Sequence, residues 1–236
     1  MNKTEGGGAM EAFFPEILYE DRQLVVCAKP VGWLSEPGGK SLPDALSAYY
    51  AGRGAPKEVF TVHRLDRIVG GVMVFARTKE AASRLAQAVA AREVEKEYLA
   101  VLRGVPEKPE DTLVDLLFRD ASQGKTFVVM RPRKGVREAK LDYRLLETAT
   151  REDGQVLSLV AVRLHTGRTH QIRVQFASRG LPLLGDIRYG SKDPDCTAAL
   201  WSHRLAFRHP KTGEQMQFEK RPPETYPWAL FSAVGE

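Results

Sequence analysis

At 236 residues the chain is long enough for one large domain or two small ones, and its 43% apolar content supplies a sizeable core. Lys and Arg number 35 against 30 Asp and Glu, a formal charge of +5 with a pI near 9.2, which biases the protein modestly toward polyanionic partners. No apolar stretch approaches the roughly 20 residues of a membrane-spanning helix, and the first residues lack the apolar centre of a signal peptide. Membrane and secretory classes are thereby disfavoured, and a cytoplasmic location is expected. Cys27 and Cys196 stand far apart, outside any Cys-x-x-Cys spacing, so neither a disulfide framework nor a zinc knuckle is suggested.

In chain order, residues 1–12 carry Gly6-Gly7-Gly8 and few apolar side chains, and are expected to be a disordered lead-in, with folding starting near Phe13. Ile17-Leu18-Tyr19 and Leu24 to Ala28 read as two strands joined by the polar turn Glu20-Asp21-Arg22-Gln23. After the loop around Gly38-Gly39, Ser41 caps a predicted helix that runs to Tyr50, with Pro43 and Asp44 in its first turn. Val72 to Ala76 is apolar at every position and suits a strand covered on both faces. Glu80 to Arg92 then places Ala81, Leu85, Ala88 and Val89 on one helical stripe.

The middle of the chain is β-rich, with strand-like segments at Tyr98–Leu102, Phe127–Met130, Leu141–Leu146 and Val156–Leu164. Thr169 to Ser178 reads as a helix stopped by Gly180 and Pro182, although a strand is an alternative. Trp201–Phe207 and Gln215–Phe218 flank Pro210-Lys211-Thr212-Gly213 as a hairpin. No repeat and no Pro- or Ser-rich linker divides the chain, so one mixed α+β domain over 13–236 is expected.

Three clusters could carry chemistry. His63-Arg64-Leu65-Asp66-Arg67 puts a carboxylate among cationic residues on a loop just before the buried strand, which suits a nucleophile or base held ionised, and equally a surface ion-pair cluster. Gly167-Arg168-Thr169-His170-Gln171-Ile172-Arg173 would place His170 and Arg173 on one helical face, aiming an arginine at a distant acid; on a solvated face both would be ordinary surface residues. In Glu95-Lys96-Glu97-Tyr98-Leu99-Ala100, period-two alternation sends Lys96, Tyr98 and Ala100 to one side, where Tyr98 could stack on a base or simply pack. The five histidines, His63, His165, His170, His203 and His209, show no metal-ligand spacing, and no metal is expected. Phosphate-binding, dinucleotide-binding and serine-hydrolase signatures are missing as well.

Together these segments resemble the RluA-type family of RNA pseudouridine synthases. The similarity runs from about Ile17 to the C-terminus. It is carried by Tyr19-Glu20-Asp21, Lys29-Pro30-Val31-Gly32, His63-Arg64-Leu65-Asp66, Lys96-Glu97-Tyr98-Leu99-Ala100, the Gly167–Arg173 run, and Gly185-Asp186 through Tyr189-Gly190. The resemblance implies a mixed, largely antiparallel sheet flanked by helices around an RNA-binding cleft, with Asp66 as nucleophile. By the same matching, Tyr98 contacts the target uracil, Arg173 pairs with Asp66, and Arg64 helps to displace the base or occupies its vacated place. The implied substrate is a uridine in rRNA or tRNA, isomerised without a cofactor. The protein is expected to work as a monomer of the short form that lacks an S4-like RNA-binding domain. Lys29, Lys96 and Arg168 are candidate phosphate contacts.

Two positions depart from the family pattern. Val69-Gly70 stands where Thr-Ser is usual before Gly71, and Gln175 where His is frequent. Gly70 would loosen the catalytic loop if the lost hydroxyls supported it, while Val69 could substitute packing. The rival expectations are an RNA-binding protein or folding helper without turnover, and a base-excising glycosidase using the same carboxylate.

Overall fold

The computed structural model describes residues 15–234; the lead-in expected over 1–12 lies outside them. Among the described residues one sheet contains 11 strands. They are β1 (Glu16–Glu20), β2 (Leu24–Lys29), β3 (Phe60–Thr61), β4 (Gly70–Ala76), β5 (Glu95–Arg103), β6 (Glu110–Asp120), β7 (Lys125–Val129), β8 (Val136–Thr150), β9 (Val156–Leu164), β10 (Leu200–Arg208) and β11 (Gln215–Glu219). The helices are α1 (Leu42–Ala51), α2 (Lys79–Ala90) and α3 (Gln171–Ala177). The strand order is β1-β2-β4-β10-β5-β9-β8-β6-β7, with β11 on β10 and β3 on β4. Every pairing is antiparallel except β4 with β10, so the expected mixed, largely antiparallel α+β architecture holds.

Helices cover both faces of the sheet. Strand alternation sends Val25, Cys27, Met73 and Phe75 to one core, where Leu42, Leu46 and Tyr50 of α1 and Ile172 and Phe176 of α3 join them. Leu24, Val26, Val72, Val74 and Ala76 point the other way, onto Ala81 and Leu85 of α2. Helix α1 starts where the sequence puts it, with the Ser41 hydroxyl accepting the Asp44 backbone N–H at 3.2 Å. Cys27 is buried, and both cysteines are free.

One strand has no counterpart in the sequence reading, and one expectation needs correction. The acidic stretch Glu110–Asp120 forms a long strand whose buried residues, Leu113 and Leu117, are four apart, a spacing that hides the strand period. Helix α3 begins at Gln171, and His170 precedes it in the left-handed region with φ 56° and ψ 22°, so His170 and Arg173 do not share a helical face.

The junction of β4 and β10 explains Gly70. Trp201 pairs with Gly70 and Ser202 with Gly71, and a Cβ on Gly70 would lie 2.3 Å from Trp201 Cζ3. At Gly71, with φ +115°, it would lie 2.2 Å from the Ser202 carbonyl oxygen. Gly70 is therefore the seat of an indole in a buried strand, which corrects the expectation that it loosens the loop. Gly70→Ser is expected to lower stability by about 1–3 kcal/mol through overpacking, as measured by urea denaturation. Trp201→Leu should then cost less in the Gly70→Ser background than alone.

Candidate active site

A cavity of about 670 Å³, bordered by the end of α2 and the start of α3, is lined by all three sequence clusters: His63 to Asp66, Lys96 and Tyr98, and Gly167 to Arg173. Asp66 occupies the loop entering β4, closed by the Val69 N–H donating to the Asp66 carbonyl at 3.0 Å. The neighbouring loop holds it in place. The Ser35 hydroxyl donates to the Leu65 carbonyl at 2.8 Å and accepts the Leu65 N–H at 3.1 Å, while the Gly32 N–H donates to the Arg67 carbonyl at 2.8 Å. His63 reaches under the strand, where its Nε2 accepts the Val74 N–H at 3.1 Å.

Lys29 belongs to this support, which corrects its expected phosphate contact. It is 0% exposed, and its Nζ donates to the carbonyls of Trp33 at 2.7 Å, Pro30 at 3.1 Å and Arg67 at 3.3 Å. Burial pulls the ammonium down to about 8, opposed by the charge of Asp66. An ammonium whose donors are spent on three internal carbonyls ties two loops together and has no proton left for RNA.

Arg173, 3% exposed, lies at the back of the site. Its Nε and Nη2 donate to Asp186 Oδ2 and Oδ1 at 2.7 and 2.8 Å, and its Nη1 donates to Asp66 Oδ2 at 2.9 Å. Asp66 Oδ1 has no hydrogen-bond partner among the described residues. Tyr98, on β5 beside Ser202, is buried; burial and the Asp66 charge push its hydroxyl pKa up, and a hydrogen bond with Ser202 opposes them.

The other candidates divide. Lys96 lines the cavity and forms no ion pair among the described residues, with burial lowering its pKa. Arg168 lines it too and donates from Nε to the Glu138 carbonyl at 2.9 Å. Arg64 is exposed on the rim and pairs with Glu36 at 2.8 Å, a contact worth little in water. Gln175 points away from the cavity, its Nε2 donating to Asp115 Oδ2 at 2.7 Å, so this departure from the family pattern is not in the site. Sequence reasoning missed Asp186, whose only signal was its place in the Gly185–Gly190 segment, and it missed Tyr189, which contacts His170.

The cavity thus holds a carboxylate gripped through one oxygen by a buried arginine, beside a buried tyrosine. The RNA pseudouridylate synthase family model matches residues 23–178. An uncharacterised RNA pseudouridine synthase of Aquifex aeolicus is 35% identical over 227 residues, covering 89% of this chain and 70% of the relative. The ribosomal large subunit pseudouridine synthase D of Xanthomonas campestris is 34% identical over 241 residues, covering 93% and 69%. A synthase of Synechocystis is 34% identical over 210 residues, covering 84% of this chain and 63% of its own. Among solved structures, human RNA pseudouridylate synthase domain containing 1 superposes with a TM-score of 0.76 at 24% identity, covering 98% of this chain and 90% of that one. The chain belongs to the RNA pseudouridylate synthase family, and its relatives are isomerases that act on RNA.

Two outcomes follow from this geometry. Arg173→Ala would leave Asp186, whose side chain is 1% exposed, without its countercharge, and is expected to cost about 3–5 kcal/mol in denaturant unfolding. The second concerns His63, which burial and nearby Lys96 lower from 6.5 to about 3. A depressed histidine pKa leaves stability untouched above 6.5. Below it the unfolded chain binds a proton that the native chain refuses, so stability falls with pH by about 1.4 kcal/mol per unit until about 3. His63→Gln should reduce that slope by an amount that grows from about a quarter of a proton at pH 7 to nearly one at pH 5 in urea titrations.

Proposed function

We propose that the protein isomerises a uridine of ribosomal or transfer RNA to pseudouridine, with Asp66 as the reacting carboxylate. The observation that carries this is the one-sided grip on Asp66: Arg173 holds Oδ2 at 2.9 Å, while Oδ1 is unpartnered among the described residues. The substrate class rests on relatives such as the ribosomal large subunit pseudouridine synthase D of Xanthomonas campestris.

The reaction breaks the bond from uracil N1 to ribose C1′, turns the base, and joins C5 to C1′; the C5 proton leaves and N1 ends protonated. No atom or electron is gained. As the base departs C1′ becomes cationic, and the free oxygen of Asp66 attacks it or stabilises it, as a carboxylate does in glycosyl transfer. Arg173 shares its single charge with Asp186, so Asp66 is oriented without being fully neutralised. The target nucleotide must leave its stack, and Tyr98 offers the base an aromatic face within the cavity. Lys96 and Arg168 serve the RNA backbone, and Arg64 on the rim serves the displaced base or its vacated place.

The test is pseudouridine formation in unmodified ribosomal and transfer RNA transcripts incubated with wild-type protein or with Asp66→Ala, read by nucleoside mass spectrometry after derivatisation. Product from wild-type protein alone is expected, with RNA affinity retained in the variant. Binding without product would point to an RNA-binding role, and free uracil with an abasic sugar to a glycosidase.

A further inference from the structure

We propose that His170 is a catalytic residue of this reaction, a neutral hydrogen-bond donor that holds a carbonyl oxygen of the uracil while its bond to ribose breaks. The proposal rests on Asp66 being the reacting carboxylate. Its basis is a chain of hydrogen bonds that fixes which nitrogen of the imidazole carries the proton.

The Thr126 backbone N–H donates to the Tyr189 hydroxyl oxygen at 2.9 Å. The hydroxyl has one proton of its own, and His170 Nδ1 stands at 2.9 Å to accept it. With Nδ1 accepting, the proton of a neutral ring sits on Nε2. That nitrogen lies 3.7 Å from Asp66 Oδ2, beyond hydrogen-bond reach, and His170 lines the same cavity. A side chain only 12% exposed therefore offers an N–H with nothing among the described residues to receive it, next to the carboxylate.

The backbone at His170 supports this placement. Only Arg92 and His170 among the described non-glycine residues have positive φ, and the left-handed conformation of His170 costs on the order of 1–3 kcal/mol unless its surroundings fix it. Here the preceding Thr169 is fixed by Thr126, whose hydroxyl donates to the Thr169 carbonyl at 3.0 Å, and the ring is fixed by Tyr189. One residue thus anchors both the loop and the tyrosine that orients the imidazole.

The chemistry calls for such a donor. When C1′–N1 breaks, its electron pair leaves with the base and spreads from N1 into the O2 and O4 carbonyls. A neutral N–H facing one of those oxygens stabilises the anion without giving up its proton. A charged imidazolium would instead close on Asp66. Burial holds His170 down to about 4, Arg173, Arg188 and Arg119 oppose its protonation, and only Asp66 favours it, so the ring is neutral at neutral pH.

The test has a protein-only arm and a kinetic arm. In 15N-histidine NMR of the full chain at pH 7, His170 is expected as the Nε2–H form, with the preference lost in Tyr189→Phe; an Nδ1–H ring or an imidazolium overturns the proposal. In single turnover at saturating RNA, His170→Asn, whose side chain tolerates positive φ, should slow pseudouridine formation about 100-fold with its melting temperature near wild type. A rate close to wild type overturns it. Placing 2-thiouridine or 4-thiouridine at the target weakens one acceptor; one of them should slow the wild type and leave His170→Asn no slower than on uridine. Equal thio penalties in both proteins also overturn the proposal. Asp66→Ala separates the two ideas: activity in that variant removes the reading of Asp66, whereas loss there with a normal His170→Asn removes only the role of His170.

Discussion

The guanidinium of Arg173 is the constraint around which the site is arranged. A cation 3% exposed is costly to desolvate, and it is tolerated because two carboxylates from different parts of the chain surround it. The division of labour is unequal. Asp186 takes Nε and Nη2 side by side, which locks the plane and direction of the fork, and only the outer Nη1 reaches Asp66. The orientation of the arginine is thus settled by a carboxylate that cannot take part in chemistry, and Asp66 is added to a preset anchor. A lysine could not serve here, since a single ammonium lacks the parallel donors that hold one acid while addressing another.

Support for Asp66 from the other side is built from main-chain bonds. Lys29 and Gly32 both donate to the Arg67 carbonyl, and Ser35 both donates to and accepts from Leu65, so the residues flanking the carboxylate are tied to the loop after β2. Beyond them the chain enters β4, whose first two residues lie against β10 at a spacing no side chain would permit. Anchored at Leu65, Arg67 and Gly71, the backbone leaves little freedom to the residue between. This is how an acid on a loop acquires the precision that sites usually draw from a strand or helix.

Where the periodicity of a segment matched its burial, the sequence was readable. Val72–Ala76 is apolar throughout because two cores cover it, and Ala81 and Leu85 mark the inner stripe of α2. Strand β6 was hidden because its two buried residues, Leu113 and Leu117, recur at a helical interval and exposed Val114 and half-buried Asp115 and Leu116 between them blur the strand alternation. The pairing of Asp66 with Arg173 spans 107 residues and came from family resemblance, since no local pattern encodes it. Lys29 misled for a related reason: a lysine before a proline looks solvated until the carbonyls of Pro30, Trp33 and Arg67 are seen to converge on it. His170 drew notice in the sequence, yet its orientation depends on Tyr189 and Thr126, neither adjacent to it in the chain.

The two hydroxyls missing after Asp66 show how this support can change chemistry while keeping its geometry. Val69 is 2% exposed and packs in the same core as Leu65 and Tyr98, so the loop is steadied there by apolar contact in place of a polar one. Gly70 gives its side-chain volume to the indole of Trp201, whose Nε1 donates to the Lys220 carbonyl at 2.8 Å and so stays fixed over the strand. A serine at Gly70 would have to displace that ring, which makes glycine and tryptophan a matched pair across β4 and β10. The substitutions therefore do not break the floor beneath Asp66, and they supply no structural reason for a protein that binds RNA but cannot turn it over.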